Sequence, residues 1–471
     1  MTRAPRVAGI FALAFALFAL GGCAGFAGFA EKTEHLDAYD ESRGYRYERL
    51  DKTDNKDDLF VILTFSGGGT RAAAFSYGVL EALRDTTVEI DGKPRNLLGE
   101  VDVISSVSGG SFTTAYYGLY GNDIFVEGGR FQKNFLYHDV QADLIYKLFN
   151  PYNWVRLVSP VFGRIELASE LYRKLLFGDA TFHDLEGRHR KPFIMINATD
   201  MVKGSQFTFT QSQFDPICAD LSRFPIARAV AASSNFPLAF SPLAINSYPG
   251  TCGYTEPMWV QQALGDLPAN PRRYYRARML RTYQETDRRY VHLLDGGVAD
   301  NIGLRGPLTS IRSSDVDWSV LRKINLEEIK KLVVIVVDAR NEVKSSFDKS
   351  PKAPGTLAVV NAIATTPLDN YSFDSIELLQ DILRRRDDAQ RSQPDLHQVQ
   401  IYRIYVGFDQ IMDDAEREAF LATKTSFDLP RERVDALRRK GAELLRQSAC
   451  FQKLIHPVPA GTAGAATRGC P

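Results

Sequence analysis

Histidine is scarce in this sequence, with seven residues among 471. None stands in a small-residue turn after an apolar run, where an imidazole usually takes a proton during nucleophilic catalysis. His292 comes nearest, but it lies inside an apolar run two residues before Leu294, as a packed or surface side chain would. Cysteine is also sparse: the five residues include no CxxC pair and no spacing typical of a metal site. Charge of neither sign dominates, because 57 Lys and Arg balance 57 Asp and Glu. Without a basic excess or a local basic block there is no electrostatic footprint for nucleic acid. No Gly-Lys-Ser/Thr follows a glycine loop, which excludes a P-loop, and no internal repeat is visible.

The N-terminus is the one place with a long apolar run. Arg3 and Arg6 precede Val7 to Leu20, which has the length of a signal-peptide core and is short for a membrane-spanning helix. Leu20-Gly21-Gly22-Cys23 follows and resembles a bacterial lipobox, so residues 1–22 read as an export signal and Cys23 as a lipidated N-terminus. Acyl chains there would tether the chain to a membrane without spanning it. Ala24 in place of aspartate points to the outer membrane of a bacterial envelope, facing the periplasm. Residues 23–57, Gly/Ala-rich and then charged, read as a flexible, partly disordered tether with some structure near Tyr45 and Tyr47. In an exported chain the remaining cysteines permit two disulfides, and proximity favours Cys218 with Cys252 and Cys450 with Cys470.

Ordered structure is expected from Leu59. Leu59 to Phe65 is a nearly continuous apolar run, the pattern of a strand buried on both faces. Ser66-Gly67-Gly68-Gly69-Thr70-Arg71 then leads into Ala72 to Leu83, whose apolar residues recur at helical spacing. A second such unit runs from Leu97 through Ser105 to Gly110 and a helix ending near Tyr120. Further strands are expected at Phe193 to Ala198, Phe207 to Thr210, Tyr290 to Leu294 and Lys331 to Val337, with a helix over Ile226 to Ala232. Alternating strands and helices predict an α/β fold with a mostly parallel central sheet covered by helices on both faces. The catalytic domain is placed at 58–345, with 346–471 as a helical extension packed on it, within which Val399 to Val406 alternates like a strand able to join the same sheet. Asn150 to Phe177 reads as core helices or as a lid or membrane-facing segment, and Asn246 to Arg289 as an insertion.

Ser108 sits at the centre of Ser106-Val107-Ser108-Gly109-Gly110, a strand-to-helix turn too tight for bulky side chains. Such a turn strains its central residue and exposes the hydroxyl, as in a nucleophile elbow. The backbone of Gly67, Gly68 and Gly69, at the start of a helix, offers unsatisfied donors for a developing oxyanion. Asp295 ends a strand and is followed by Gly296-Gly297, which leave room around it. A carboxylate there could serve Ser108 as general base without histidine. The same glycine loop also satisfies G-x-G-x-x-G/A, with Glu89 or Asp91 at the distance a dinucleotide site requires.

Four blocks in order, S-G-G-G-T-R from Ser66, S-V-S-G-G from Ser106, A-A-S-S-N-F-P-L-A-F-S-P from Ala231 and D-G-G-V-A-D-N from Asp295, resemble the patatin-like phospholipase family. The resemblance implies a patatin-like three-layer fold, a Ser108/Asp295 dyad, an oxyanion hole at Gly67, Gly68 and Gly69, and Arg71 shaping or charging that hole. It implies a phospholipid or other acyl-lipid substrate hydrolysed at the envelope, with neither metal nor cofactor. The chain departs from the family pattern at Ser106, where the elbow carries glycine, and at Ser66 and Ala72. An acyltransferase would use the same residues, and a non-catalytic lipid-binding lipoprotein would keep the fold without needing Ser108 or Asp295. No protein partner follows from the sequence.

Overall fold

The computed structural model describes residues 32–49, 59–90, 93–187, 191–237, 239–268, 270–307, 329–342, 372–385 and 399–456, with 351, 355, 388, 392 and 470. The signal segment, Cys23 and Asp91 lie outside the described residues. Among the described residues, eight strands form the central sheet: β1 (Leu59–Phe65), β2 (Val101–Val107), β3 (Phe193–Asp200), β4 (Gln206–Thr208), β5 (Leu243–Asn246), β6 (Tyr290–Asp295), β7 (Lys331–Asp338) and β8 (Gln400–Gly407). Their order is β8-β7-β1-β2-β3-β6-β5, with β4 paired to β3. The run from β8 to β3 is parallel, whereas β6 is antiparallel to both β3 and β5.

The apolar pattern explains this arrangement. Every residue of β1, β2 and β3 is buried, as expected for parallel strands covered on both faces. Outer β5 instead alternates buried and half-buried positions. Helix α1 (Gly69–Arg84) follows β1 and α2 (Gly109–Tyr120) follows β2. The parallel strands therefore bring their carboxyl ends, and the glycine-rich turns that leave them, to one edge of the sheet. In such sheets the ligand crevice forms at that edge.

Two expectations need correction. Residues 32–49 are not a loose tether: Glu34–His35 pairs with Ala219–Asp220. Tyr45 there accepts a hydrogen bond from Ile194 N (2.8 Å), and Arg46 forms a buried ion pair with Asp215 at 2.6 Å. An aromatic ring and a paired arginine dock this segment, which its high charge disguised. Beyond 346, β8 joins the sheet beside β7 in full register, as the alternation of Val399 to Val406 leads one to expect. The helix over Arg431–Gln447 lies backbone to backbone on α1: a Cβ at Gly78 would stand 1.9 Å from Arg438 O, and one at Gly441 2.4 Å from Phe75 O. Finally, Cys218 and Cys252 form a disulfide, but Cys450 and Cys470 carry free thiols that hydrogen-bond one another.

The stretch Asn150 to Phe177 divides in two. Helix α3 (Val140–Phe149) and helix α4 (Pro151–Leu157) form an exposed hairpin, while α5 (Arg164–Tyr172) is buried against α6 (Ile226–Ser233). The insertion after Asn246 carries two helices, Met258–Leu264 and Pro271–Thr282, around a small cluster of Val260, Ala263 and Ala277.

Candidate active site

Ser108 is one of two non-glycine residues with positive φ among the described residues, at φ 49° and ψ −119°. Holding an L-residue there costs on the order of 1–3 kcal/mol, and the surroundings over-determine it. Close packing requires the two glycines that follow. A Cβ at Gly109 would stand 2.0 Å from Gly69 O, and one at Gly110 2.8 Å from Ser66 O. Helix α2 can thus start only where no side chain separates it from β1 and the glycine loop. Ser108 occupies the N-cap of α2, where free N–H groups and the helix dipole favour negative charge.

A network of serines supports the elbow from below. Ser233 Oγ accepts a hydrogen bond from Ser108 N at 2.9 Å and donates to Asn197 O at 2.6 Å. Ser111 Oγ lies 2.9 Å from Ser233 Oγ and donates to Ser106 Oγ at 3.2 Å. The residue that departs from the elbow pattern, Ser106, is therefore fully buried and bonded, donating also to Met195 O at 3.3 Å.

Strand register brings Asp295 to Ser108. Val107 pairs with Asn197, and the next residue of β3, Ala198, pairs with Asp295 on antiparallel β6. β6 thus ends at Asp295 level with the end of β2, from which Ser108 projects. Its main chain is clamped, with Asp295 N donating to Asn235 O at 3.0 Å and Thr199 Oγ1 donating to Asp295 O at 2.8 Å. The carboxylate accepts from Gly297 N at 2.8 Å, and the Ser108 side chain lies close enough to lower its pKa slightly. Burial pushes its pKa up to about 7, against the smaller lowering effects of the Gly297 N–H and the Ser108 hydroxyl. A carboxyl near neutrality in contact with a strained serine is poised to exchange a proton with it.

The glycine loop closes the site from above. Gly68 and Gly69 have φ of 136° and 59°, which only glycine adopts readily. Among the described residues neither N–H has an intramolecular acceptor, whereas Gly67 N donates to Asn301 O at 2.9 Å. Of the three N–H groups, those of Gly68 and Gly69 are thus left without an acceptor among the described residues. A Cβ at Gly67 would stand 3.2 Å from Ser108 Cβ, so the loop lies directly against the serine side chain.

A match to the family model for patatin-like phospholipases covers residues 63–308, which include the glycine loop, the elbow and Asp295. The chain belongs to the patatin-like phospholipase family. Solved structures of human GIVD cytosolic phospholipase A2 are similar in fold. One has 12% identity and a TM-score of 0.45, covering 87% of this chain and 61% of that one. Another, in complex with methyl gamma-linolenyl fluorophosphonate inhibitor and terbium chloride, has 13% identity and a TM-score of 0.41, covering 87% and 62%. This chain thus spans about three fifths of the length of those structures. No curated protein matches the sequence.

Within this patatin-like domain, Arg71 does not reach into the site. It is buried beneath Gly68, donating to Ala339 O (2.6 Å), Thr423 O (2.7 Å) and Asn341 Oδ1 (3.0 Å). It shapes the loop by tying it to the segments after β7 and before the last long helix. The dinucleotide alternative fails on topology: Glu89 is exposed on a small hairpin (Thr87–Ile90 with Lys93–Asn96), not at the end of a neighbouring sheet strand. No described histidine hydrogen-bonds Ser108, and His292 is half-buried on β6 beside Ala244. Among the described residues no group of three or more His, Cys, Asp or Glu could hold a metal ion.

Ser233, Asn197 and Asn301 acquire roles that sequence reading did not assign. Ser233 and Asn301 stood inside recognised blocks, and Asn197 was a polar residue in an apolar strand, which is a signal in itself. Ser426 gave no signal, yet its carbonyl accepts from Thr70 N at 2.9 Å and fixes the start of α1.

Proposed function

We propose that this protein is a serine lipid acyl hydrolase of the phospholipase A or lysophospholipase type, acting through a Ser108/Asp295 dyad. One observation carries the reading: a serine in strained geometry at a helix N-terminus stands beside a buried carboxyl, brought there by the register of β2, β3 and β6. In the reaction Asp295 accepts the Ser108 proton as Oγ attacks the acyl carbonyl. The new oxyanion lies against Gly68 and Gly69 N–H and the start of α2. The proton passes to the leaving alcohol, giving an acyl-serine. Water, deprotonated by Asp295, then releases the fatty acid and restores the hydroxyl. The chain would work lipid-anchored through Cys23 at a bacterial outer membrane, facing the periplasm, and the lipobox-like Leu20 to Cys23 supports that placement.

Fluorophosphonate labelling tests the dyad. The wild type is expected to label at Ser108 and to release fatty acid from mixed phospholipid vesicles, and Ser108→Ala to do neither. Labelling that survives in Ser108→Ala would place the nucleophile elsewhere. Radiolabelled fatty acid recovered in Cys23-containing peptides would support the anchor, and its absence from a membrane-associated protein would refute it.

A further inference from the structure

The α3–α4 hairpin has an unusual surface. Eight of the seventeen exposed large apolar side chains among the described residues fall between positions 145 and 161. Val158 is 84% exposed, Tyr146 73% and Phe149 68%, with Tyr152, Trp154 and Val155 beside them. Soluble surfaces seldom gather so many large apolar groups without a partner for them.

The polar groups of the hairpin turn inward. Asn150 caps α4 by accepting from Tyr152 N at 3.0 Å, and Asn153 Nδ2 donates to Lys147 O at 2.8 Å. The Trp154 indole N–H donates to Leu148 O at 2.9 Å, so the ring can leave water without stranding a donor. Lys147 lies 3.7 Å from Glu170, and Arg156 donates to the same carboxylate at 3.1 Å. Glu170 offsets one of the two cations and Asp143 on α3 adds a second negative charge, so the hairpin carries no net basic charge.

Both ends of the hairpin are fastened to the site. At the start of α3, Gln141 Oε1 accepts from Ser426 Oγ at 2.9 Å, and the Ser426 carbonyl accepts from Thr70 N beside the glycine loop. Past α4, Ile165 N donates to Ser241 Oγ at 3.3 Å. The Ser241 carbonyl accepts from Asn235 Nδ2 at 2.9 Å, and Asn235 O holds Asp295 N at 3.0 Å. One anchor therefore reaches the residue that holds the oxyanion loop and the other the Asp295 clamp, so the apolar hairpin is tied to both sides of the Ser108 site.

We propose that the α3–α4 hairpin seats this protein on a phospholipid bilayer, inserting Phe149, Trp154 and Val158 among the acyl chains so that a lipid ester passes directly to Ser108. This rests on the acyl-hydrolase reading for its substrate. Because the hairpin has no net basic charge, docking is driven by apolar burial and is insensitive to salt.

Full-length protein carrying Trp259→Phe and Trp318→Phe leaves Trp154 as the sole indole. With phosphatidylcholine vesicles its emission is expected to shift to the blue and to be quenched by brominated acyl chains, equally at low and high salt. A Phe149→Asn/Val158→Asn variant is expected to hydrolyse vesicle lipid roughly tenfold or more slowly, the effect of losing one to two buried large apolar groups. Its turnover of a soluble short-chain ester is expected to be unchanged. Unquenched Trp154, or vesicle hydrolysis by the variant at the wild-type rate, overturns the proposal. So does a dimer in sedimentation velocity that the variant abolishes, because a second copy would then be the occupant. Quenched Trp154 in a wild type that cleaves neither ester would sink the hydrolase reading and leave the docking surface standing.

Discussion

Replacing Asp295 by asparagine separates the two consequences of its burial. The carboxyl rises from 3.8 to about 7 because desolvation disfavours its charge, opposed only in part by Gly297 N–H and Ser108. A group whose folded pKa is raised contributes stability that is complete below its unfolded pKa and lost as pH climbs through the folded value. At about 1.36 kcal/mol per unit, the wild type is expected to lose about 3 kcal/mol from this group between about pH 5 and about pH 8. The asparagine side chain has no charge to bury, and its amide oxygen can still accept from Gly297 N–H. Chemical denaturation across that range is therefore expected to show the variant gaining on the wild type as pH rises. Activity runs the other way, since the base must be ionised. The wild-type kcat/KM is expected to rise with pH, with its midpoint near 7, and Asp295→Asn to lose roughly 10²- to 10⁴-fold. Parallel stability curves, or a wild-type rate that is flat through neutrality, would refute the assignment of Asp295 as a buried base.

Gly109→Ala places a methyl 2.0 Å from Gly69 O, so it is expected to displace the glycine loop and abolish fluorophosphonate labelling while circular dichroism stays native. Ser233→Ala removes the acceptor for Ser108 N and the donor to Asn197 O. A loss of about 1–3 kcal/mol in unfolding free energy is expected, with kcat falling more than KM changes. Cys252→Ser opens the Cys218 disulfide, which closes a separation of 34 residues, and is expected to cost about 2–4 kcal/mol in denaturant titration. Alkylation followed by mass spectrometry is expected to modify Cys450 and Cys470 in the unfolded protein without prior reduction, and to leave Cys218 and Cys252 untouched.

Much of the site was legible because tight turns write themselves in small residues. The glycine loop and the Ser108 elbow each follow a strand whose apolar run is unmistakable, and Gly296-Gly297 mark the space beside Asp295. The Arg431–Gln447 helix belongs to the expected helical extension, and its amphipathic period is a local pattern of the same kind. The docking of 32–49 was hidden, since its anchors are a phenol and an arginine whose partners, Ile194 and Asp215, lie far along the chain. The serine network was hidden for the same reason: a hydroxyl's partner is a matter of distance, not of spacing.

The sequence by itself determined that buried strands alternate with helices and that three glycine- and serine-rich turns stand ready for chemistry. Only the tertiary structure decided that they meet. An antiparallel β6 sets Asp295 opposite Ala198, one position beyond the pairing of Val107 that presents Ser108. It also decided which donors stay free, because Asn301 takes Gly67 N–H and leaves those of Gly68 and Gly69. Local pattern fixes which backbone groups can be exposed, whereas strand order and register, set by burial across the whole sheet, fix what they are exposed to.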